Sequence, residues 1–219
     1  MQSKIKQSIL FGVGLLAVTG VAQAELTANV GVTSNYVFRG VTQTDDDPAV
    51  QGGVDFVHET GIYAGAWASN VESGSGDNGF ETDLYVGYNF KLNEDVTFDV
   101  GYITYQYSST NIPDADEVFF GASFKDFSAT YYRGDADNNV DYSYVDLKYS
   151  YVLPQEFTLH LHYGLLNSDG EDAEDASVGV SKNIMDFDIG LTITTIDYDG
   201  GTSDEDEIFI TANKAFQIM

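Results

Sequence analysis

Residues 96–102 read Val-Thr-Phe-Asp-Val-Gly-Tyr, and the side chains change character at every step. Val96, Phe98, Val100 and Tyr102 form one apolar set, and Thr97, Asp99 and Gly101 form a polar one. A period of two puts successive side chains on opposite faces of an extended chain, so the stretch predicts a strand with one apolar and one polar face. Phe187, Ile189, Leu191 and Ile193 repeat the pattern against Asp188, Gly190, Thr192 and Thr194. Ile208, Ile210, Ala212 and Phe216 do so against Thr211 and Asn213. Helical periodicity is weak throughout.

Working outward, the same alternation predicts twelve strands, near 27–39, 50–58, 61–69, 81–90, 96–107, 117–124, 127–132, 142–151, 157–166, 176–182, 187–198 and 208–216. Their connections alternate. The long ones fall near 40–49, 70–80, 108–116, 133–141, 167–175 and 199–207, and the short ones near 58–61, 91–95, 125–126, 153–156 and 183–186. Even strand number, alternating connection length and both chain ends on the short side are the layout of an all-β, transmembrane antiparallel β-barrel of 12 strands. Closure follows from the solvent, because lipid offers no partner to an open strand edge. A soluble β-sandwich also has one apolar and one polar face per strand, yet requires neither the alternation nor the even count. The acidic runs 45–47, 171–175 and 203–207 fall in long connections, while Lys91 and Lys125 fall in short ones. The long side therefore reads as the external rim.

Residues 1–24 have Lys4 and Lys6, an apolar run from Ile9 to Val21 and the ending Ala22-Gln23-Ala24. That is the pattern of a cleaved secretory signal peptide, leaving a barrel over 25–219 and an address in the cell outer membrane. Without the two leader lysines, 7 of the 9 Lys and Arg remain against 35 Asp and Glu. Such a chain repels nucleic acid. It has no cysteine, so no disulfide supports it, and its 15 Tyr and 14 Phe argue against disorder. Tyr36, Phe38, Tyr85, Tyr105, Tyr107, Tyr131, Tyr142, Tyr149, Phe157 and Tyr163 lie near predicted strand ends, where interfacial aromatic girdles sit, although cross-strand aromatic pairing gives the same placement.

With the apolar faces turned to lipid, the lumen receives Asn35, Arg39, Asp55, Trp67, Glu81, Asp83, Asp99, Asp146, Lys148, His160, His162 and Asp188. Arg39 closes the first predicted strand just before Asp45-Asp46-Asp47, so it is expected to hold that acidic loop by an ion pair or to line a constriction. His160 and His162 share a face, as lumen filling or, with an acid opposite, as a metal or proton site. No third soft ligand stands near them, and no metal or cofactor is expected. Asp135, Asp137, Asn139 and Asp141 echo the start of a calcium loop, but Val140 replaces the required Gly and no Glu stands twelfth. No Gly-x-Ser-x-Gly or phosphate-loop fingerprint is present, which speaks against an enzyme.

The run SNYVFRGVTQTDDDPAVQGGVDF, followed by GIYAGAWASNV, resembles the TorF family of outer-membrane porins. The resemblance is strongest from Val32 to Val71, in Tyr36-x-Phe38-Arg39-Gly40 and Asp47-Pro48-Ala49-x-Gln51-Gly52. It implies a Gram-negative outer membrane and a porin class, and it implies no substrate or catalytic set.

The expected function is a channel for passive diffusion of small solutes. Asp55, Glu81, Asp83, Asp99, Asp146 and Asp188 outnumber Arg39 and Lys148 in the assigned lumen, which predicts a bias toward cations. The alternatives are a closed structural or surface-binding barrel with acidic external loops and, more remotely, a barrel lipid hydrolase. Expected partners are outer-membrane lipid, small solutes or cations, and the barrel-assembly machinery during biogenesis; the sequence does not fix an oligomeric state.

Overall fold

The computed structural model describes residues 24–73, 77–108, 112–200 and 205–219. The predicted signal peptide therefore lies, but for Ala24, outside the described residues. In chain order the strands are β1 (Glu25–Thr33), β2 (Val37–Phe38), β3 (Val41–Thr42), β4 (Ala49–Val57), β5 (Ile62–Ser73), β6 (Asp77–Lys91) and β7 (Val96–Tyr107). They continue as β8 (Ala115–Phe124), β9 (Phe127–Ala136), β10 (Val140–Val152), β11 (Phe157–Ser168), β12 (Ala173–Ile184), β13 (Phe187–Tyr198) and β14 (Glu205–Gln217). All but β2 and β3 form one closed antiparallel barrel of twelve strands, and β1 pairs with both β14 and β4 to complete it.

The register shows what the alternation is for. Val100 on β7 pairs with Tyr88 on β6 and Phe120 on β8, and all three are exposed on the outer wall. One residue away, Asp99 pairs with Asn89 and Gly121, and Asp99 and Asn89 are buried inside. A slip of one residue would exchange these rows and turn Asp99 into hydrocarbon. The register is thus fixed by the cost of a charge in lipid as much as by apolar burial.

Two expectations need correction. The first concerns the long connections. β6 has 15 residues and β10 has 13, more than the roughly 9–11 that cross a bilayer. Much of what reads as loop is therefore strand continuing past the hydrocarbon, where water tolerates acidic side chains. The stretch 133–141 is a tight hairpin, with Asp135 and Asp141 facing each other across it and Arg133 paired to Asp141 at 2.9 Å. The echo of a calcium loop is absorbed by that hairpin.

The second concerns the start of the chain. The first strand, expected over 27–39, stops at Thr33, and β4 resumes the barrel at Ala49. Residues 34–48 fold inward. Within them β2 and β3 form a two-residue hairpin, Phe38 pairing with Val41. Its turn residues Arg39 and Gly40 have φ of 49° and 82°. Positive φ at both turn positions is what a type I′ hairpin demands. For Arg39 that conformation costs about 1–2 kcal/mol, so the tip must be held by what surrounds it.

Candidate functional site

The inlet is anchored before it reaches the tip. Asn35, buried inside the mouth, donates to Asp46 at 2.7 Å and to Glu207 at 3.1 Å and accepts from Thr42 at 2.7 Å. Thr44 accepts from the Tyr36 amide at 3.0 Å. The acidic triplet is thus tied to Asn35 through Asp46, and the expected ion pair of that triplet with Arg39 is replaced by another partner.

That partner is Glu117 on β8. Arg39 donates from Nη1 and Nη2 to the two Glu117 carboxylate oxygens at 2.7 and 3.0 Å. The Glu117 side chain is fully buried. Tyr105 donates to the same carboxylate at 3.0 Å. The guanidinium carbon lies 4.7, 5.0 and 4.1 Å from the ring centres of Phe38, Tyr132 and Tyr144. A planar cation suits this box, because its fork matches the carboxylate and its faces stack on rings. Gly40 closes the contact: a Cβ there would come within 2.8 Å of Ile196 Cβ and 2.9 Å of Asp175 Cβ. The hairpin tip therefore crosses the lumen from the β1–β4 side and abuts β12 and β13.

On one side of this bar the lumen is filled. Tyr63, Ile103, Tyr105, Phe119 and Tyr132 make a buried cluster with Phe38 and Tyr85 packed against it. Each acid here has a tyrosine or another acid. Tyr63 donates to Asp99 at 2.9 Å, Tyr85 donates to Asp55, and Tyr107 donates to Glu81 at 2.9 Å. Asp83 is 2% exposed and keeps Oδ1 without a partner. Six of the ten aromatics expected at interfacial girdles, namely Tyr36, Phe38, Tyr85, Tyr105, Tyr107 and Tyr142, occupy the interior or the inlet instead. Two of them fit because glycines stand opposite: a Cβ on Gly65 would collide with the Tyr85 ring, and one on Gly134 with the Tyr142 ring; Gly164 does the same for the interior Tyr144.

On the other side lies a cavity of about 230 Å³ along β10–β14. Between Tyr132, Tyr144 and Phe209 its wall carries the small residues Ser150, Ser177, Gly179, Ser181, Gly190, Thr192, Thr211 and Asn213, and its roof is Phe38, Arg39 and Gly40. Within it His162 bridges two acids, Nδ1 to Asp146 at 3.1 Å and Nε2 to Asp175 at 2.6 Å. Carboxylates only accept, so an imidazolium satisfies both contacts and a neutral ring only one. Lys148 reaches the free oxygen of Asp146 at 2.5 Å, and Tyr144 donates to Asp175 at 2.7 Å. His160 contacts the hydroxyls of Ser181 at 2.8 Å and Ser150 at 3.2 Å. Among the described residues no group of three or more His, Asp or Glu is placed to hold a metal.

The predicted lumen residues thus separate. Arg39, Asp146, Lys148, His160, His162 and Asp188 line the cavity, while Asp55, Asp83 and Asp99 belong to the filled side and are absent from its lining. Glu117 and Asp175 were missed. Glu117 shares the parity of Phe119, opposite the outward Val118 and Phe120, so alternation carried it to the inside. Asp175 lies before the start assigned to the segment 176–182, where the acidic run reads as loop.

Solved structures with this architecture include a KdgM porin, with a TM-score of 0.57, 10% sequence identity, and coverage of 87% of this chain and 99% of that one. A NanC porin aligns with a TM-score of 0.56, 14% identity, and coverage of 89% and 100%. A KdgM porin in complex with disordered oligogalacturonate aligns with a TM-score of 0.56, 8% identity, and coverage of 88% and 99%. The shared feature at these identities is the fold, that of porin-like outer-membrane β-barrels. A comparison with curated proteins finds no match. The sequence profile of a family described as "Bacterial protein of unknown function (Gcw_chp)" matches residues 17–218.

Proposed function

The chain belongs to the Gcw_chp family, and from that premise we propose that it is an outer-membrane channel for passive diffusion of small polar solutes, biased toward cations. The observation that carries this reading is the cavity of about 230 Å³, with Ser, Thr, Gly and Asn in its wall, beside the aromatic cluster of β5–β9. A barrel that needed only to be stable would fill both sides alike. The stretch SNYVFRG supports a place within the TorF family of porins, and the leader over 1–24 supports export to the outer membrane. Lipid on the outer wall and the barrel-assembly machinery are then the partners of its biogenesis.

The charge bias rests on what remains after pairing. Arg39 is matched by Glu117, Lys148 by Asp146, and His162, when protonated, by Asp175. Of the acids that line the cavity, Asp188, whose contact is the neutral Asn183 amide at 3.2 Å, is left without a cation. The acidic external rim adds to it. One similar porin was solved with oligogalacturonate. That polyanion does not suit this lumen, because its cations are already engaged by its own acids.

Planar-bilayer recording in a potassium chloride gradient tests the reading. Discrete steps with a cation-selective reversal potential are expected, and Asp188→Asn should weaken the selectivity. Absence of steps from folded protein would favour a second reading, that of a closed barrel whose external surface binds a partner. The hairpin that crosses the lumen is the observation in favour of it.

A further inference from the structure

Arg39 and Lys148 lie inside the barrel, paired with Glu117 and Asp146, and Arg133 is paired with Asp141. Lys182 on β12 and Lys214 on β14 are placed differently. Both lie on the outer face, toward the end that bears the short turns. Lys182 interrupts the outward row of Val178, Val180 and Ile184, and Lys214 interrupts that of Ile210, Ala212 and Phe216. No carboxylate lies within ion-pair distance of either among the described residues, although Asp186 stands in the turn between β12 and β13. The chain has 35 Asp and Glu against 9 Lys and Arg, yet these two cations have no acid beside them.

The patch is built on aromatic rings. Lys182 Nζ lies 4.6 Å from the ring centre of Phe157, its register partner on β11. Lys214 Nζ lies 4.9 Å from that of Phe187 and 5.7 Å from that of Phe216. All three rings are exposed on the outer wall. Each lysine stem covers apolar surface while its charged end stays free, as in side chains that reach from hydrocarbon to the headgroups. The register sets the spacing. Lys182 pairs with Ile189, Ile189 pairs with Ala212, and Lys214 follows two residues later. Two strand spacings and a two-residue offset put the Cα atoms about 12 Å apart, within reach of one headgroup seated between them.

A cation on the lipid face is tolerated near the interface and is costly deeper in the hydrocarbon. The protein supplies no counter-charge here, so the membrane has to. We propose that Lys182 and Lys214 form a docking site for one anionic phospholipid, its phosphate held between the two ammonium groups. Its acyl chains would lie along Val180, Leu191 and Ile210, which pair across β12, β13 and β14 and are all exposed. A zwitterionic lipid brings an ammonium of its own and compensates the pair less well. Lys91 and Lys125 lie at the same end but have Glu94, Asp95 and Asp126 close by in the chain, so they stand outside the site. The proposal rests on the reading of the barrel as an outer-membrane protein and is independent of conduction.

The test refolds the full chain in neutral-detergent micelles that carry equal amounts of phosphatidylglycerol and phosphatidylethanolamine with matched acyl chains. Native mass spectrometry reads the retained lipid, and heat-dependent gel mobility reads folding. Wild type should retain phosphatidylglycerol severalfold over phosphatidylethanolamine. Lys182→Gln/Lys214→Gln should abolish the preference, whereas Lys182→Arg/Lys214→Arg and Lys91→Gln/Lys125→Gln should keep it. If the first double variant does not fold, Lys214→Gln alone carries the comparison. Equal retention of the two lipids by folded wild type overturns the proposal. So does a preference that survives Lys182→Gln/Lys214→Gln, which would place the lipid elsewhere. A preference lost equally in Lys91→Gln/Lys125→Gln reduces the effect to net charge and overturns it too. Displacement of the lipid by inorganic phosphate would assign the patch to a free anion, again against the proposal. Wild type that stays in solution without detergent or lipid would overturn the outer-membrane reading itself, and this site with it.

Discussion

On β5–β9 the inward positions carry Tyr63, Tyr85, Ile103, Tyr105, Phe119 and Tyr132, and on β11–β13 they carry His160, Ser177, Gly179, Gly190 and Thr192. Both sets come from strands with the same two-residue alternation, and both back onto an outer wall of exposed apolar side chains. The first set fills its side of the lumen, and the second leaves space. Alternation decides which face is inside, whereas side-chain volume at those inner positions decides whether the inside is wall or passage. The hairpin at Arg39 marks the border, with its ring contacts on the filled side and Gly40 against the open one.

The border can be broken directly. Arg39→Ala removes a cation and leaves the Glu117 carboxylate buried, so stability should fall by about 3–5 kcal/mol in denaturant titration of the folded barrel. Arg39→Met combined with Glu117→Leu should recover most of that loss, which separates the ion pair from the shape of the hairpin. If the single variant unfolds like wild type, the bar across the lumen is not held by this pair.

Within the filled side, Tyr63→Phe keeps the ring and deletes the hydroxyl that Asp99 accepts from at 2.9 Å. The expected cost is about 1–3 kcal/mol, read from the same titration. Tyr63→Phe should leave single-channel conductance unchanged, because Tyr63 and Asp99 lie outside the cavity lining. The open side predicts the reverse. Ser177→Tyr should alter stability by less than about 1 kcal/mol, as surface-like substitutions do, yet reduce conductance severalfold. Equal conductance in Ser177→Tyr and wild type would place the passage elsewhere.

The barrel itself was legible because lipid and lumen impose the strongest two-sided pattern that a strand can carry. The predicted lumen charges on the barrel strands lie on the inner face for that reason, whereas Arg39 reaches the interior on the inlet hairpin. The inlet was not legible. Tyr36 and Phe38 continue the alternation of β1, so nothing in their spacing marks the end of the strand at Thr33. The turn Arg39-Gly40 also lacks the Asn-Gly or Asp-Gly pair that usually announces a type I′ hairpin. The division of the lumen was hidden for another reason. Tyrosine serves equally at a membrane interface and inside a barrel, and only the glycine opposite it, as at Gly164 beneath Tyr144, shows which use is made. Glu117 needed its partner to be found, and that partner is 78 residues away in the sequence.

The seam between β1 and β14 extends past the last alternating residue. Leu26 donates to Met219 at 3.1 Å and accepts from Ile218 at 2.9 Å, so the final residues after Phe216 are part of the closure. β1 must therefore wait for β14, and the edge it offers to that strand stays unsatisfied until β14 has been made. In space the chain is a ring whose covalent gap lies at an ordinary strand pair. A covalent bridge across that gap, with new ends cut at the 137–139 turn, would keep every ladder intact while letting a different pair of strands close last.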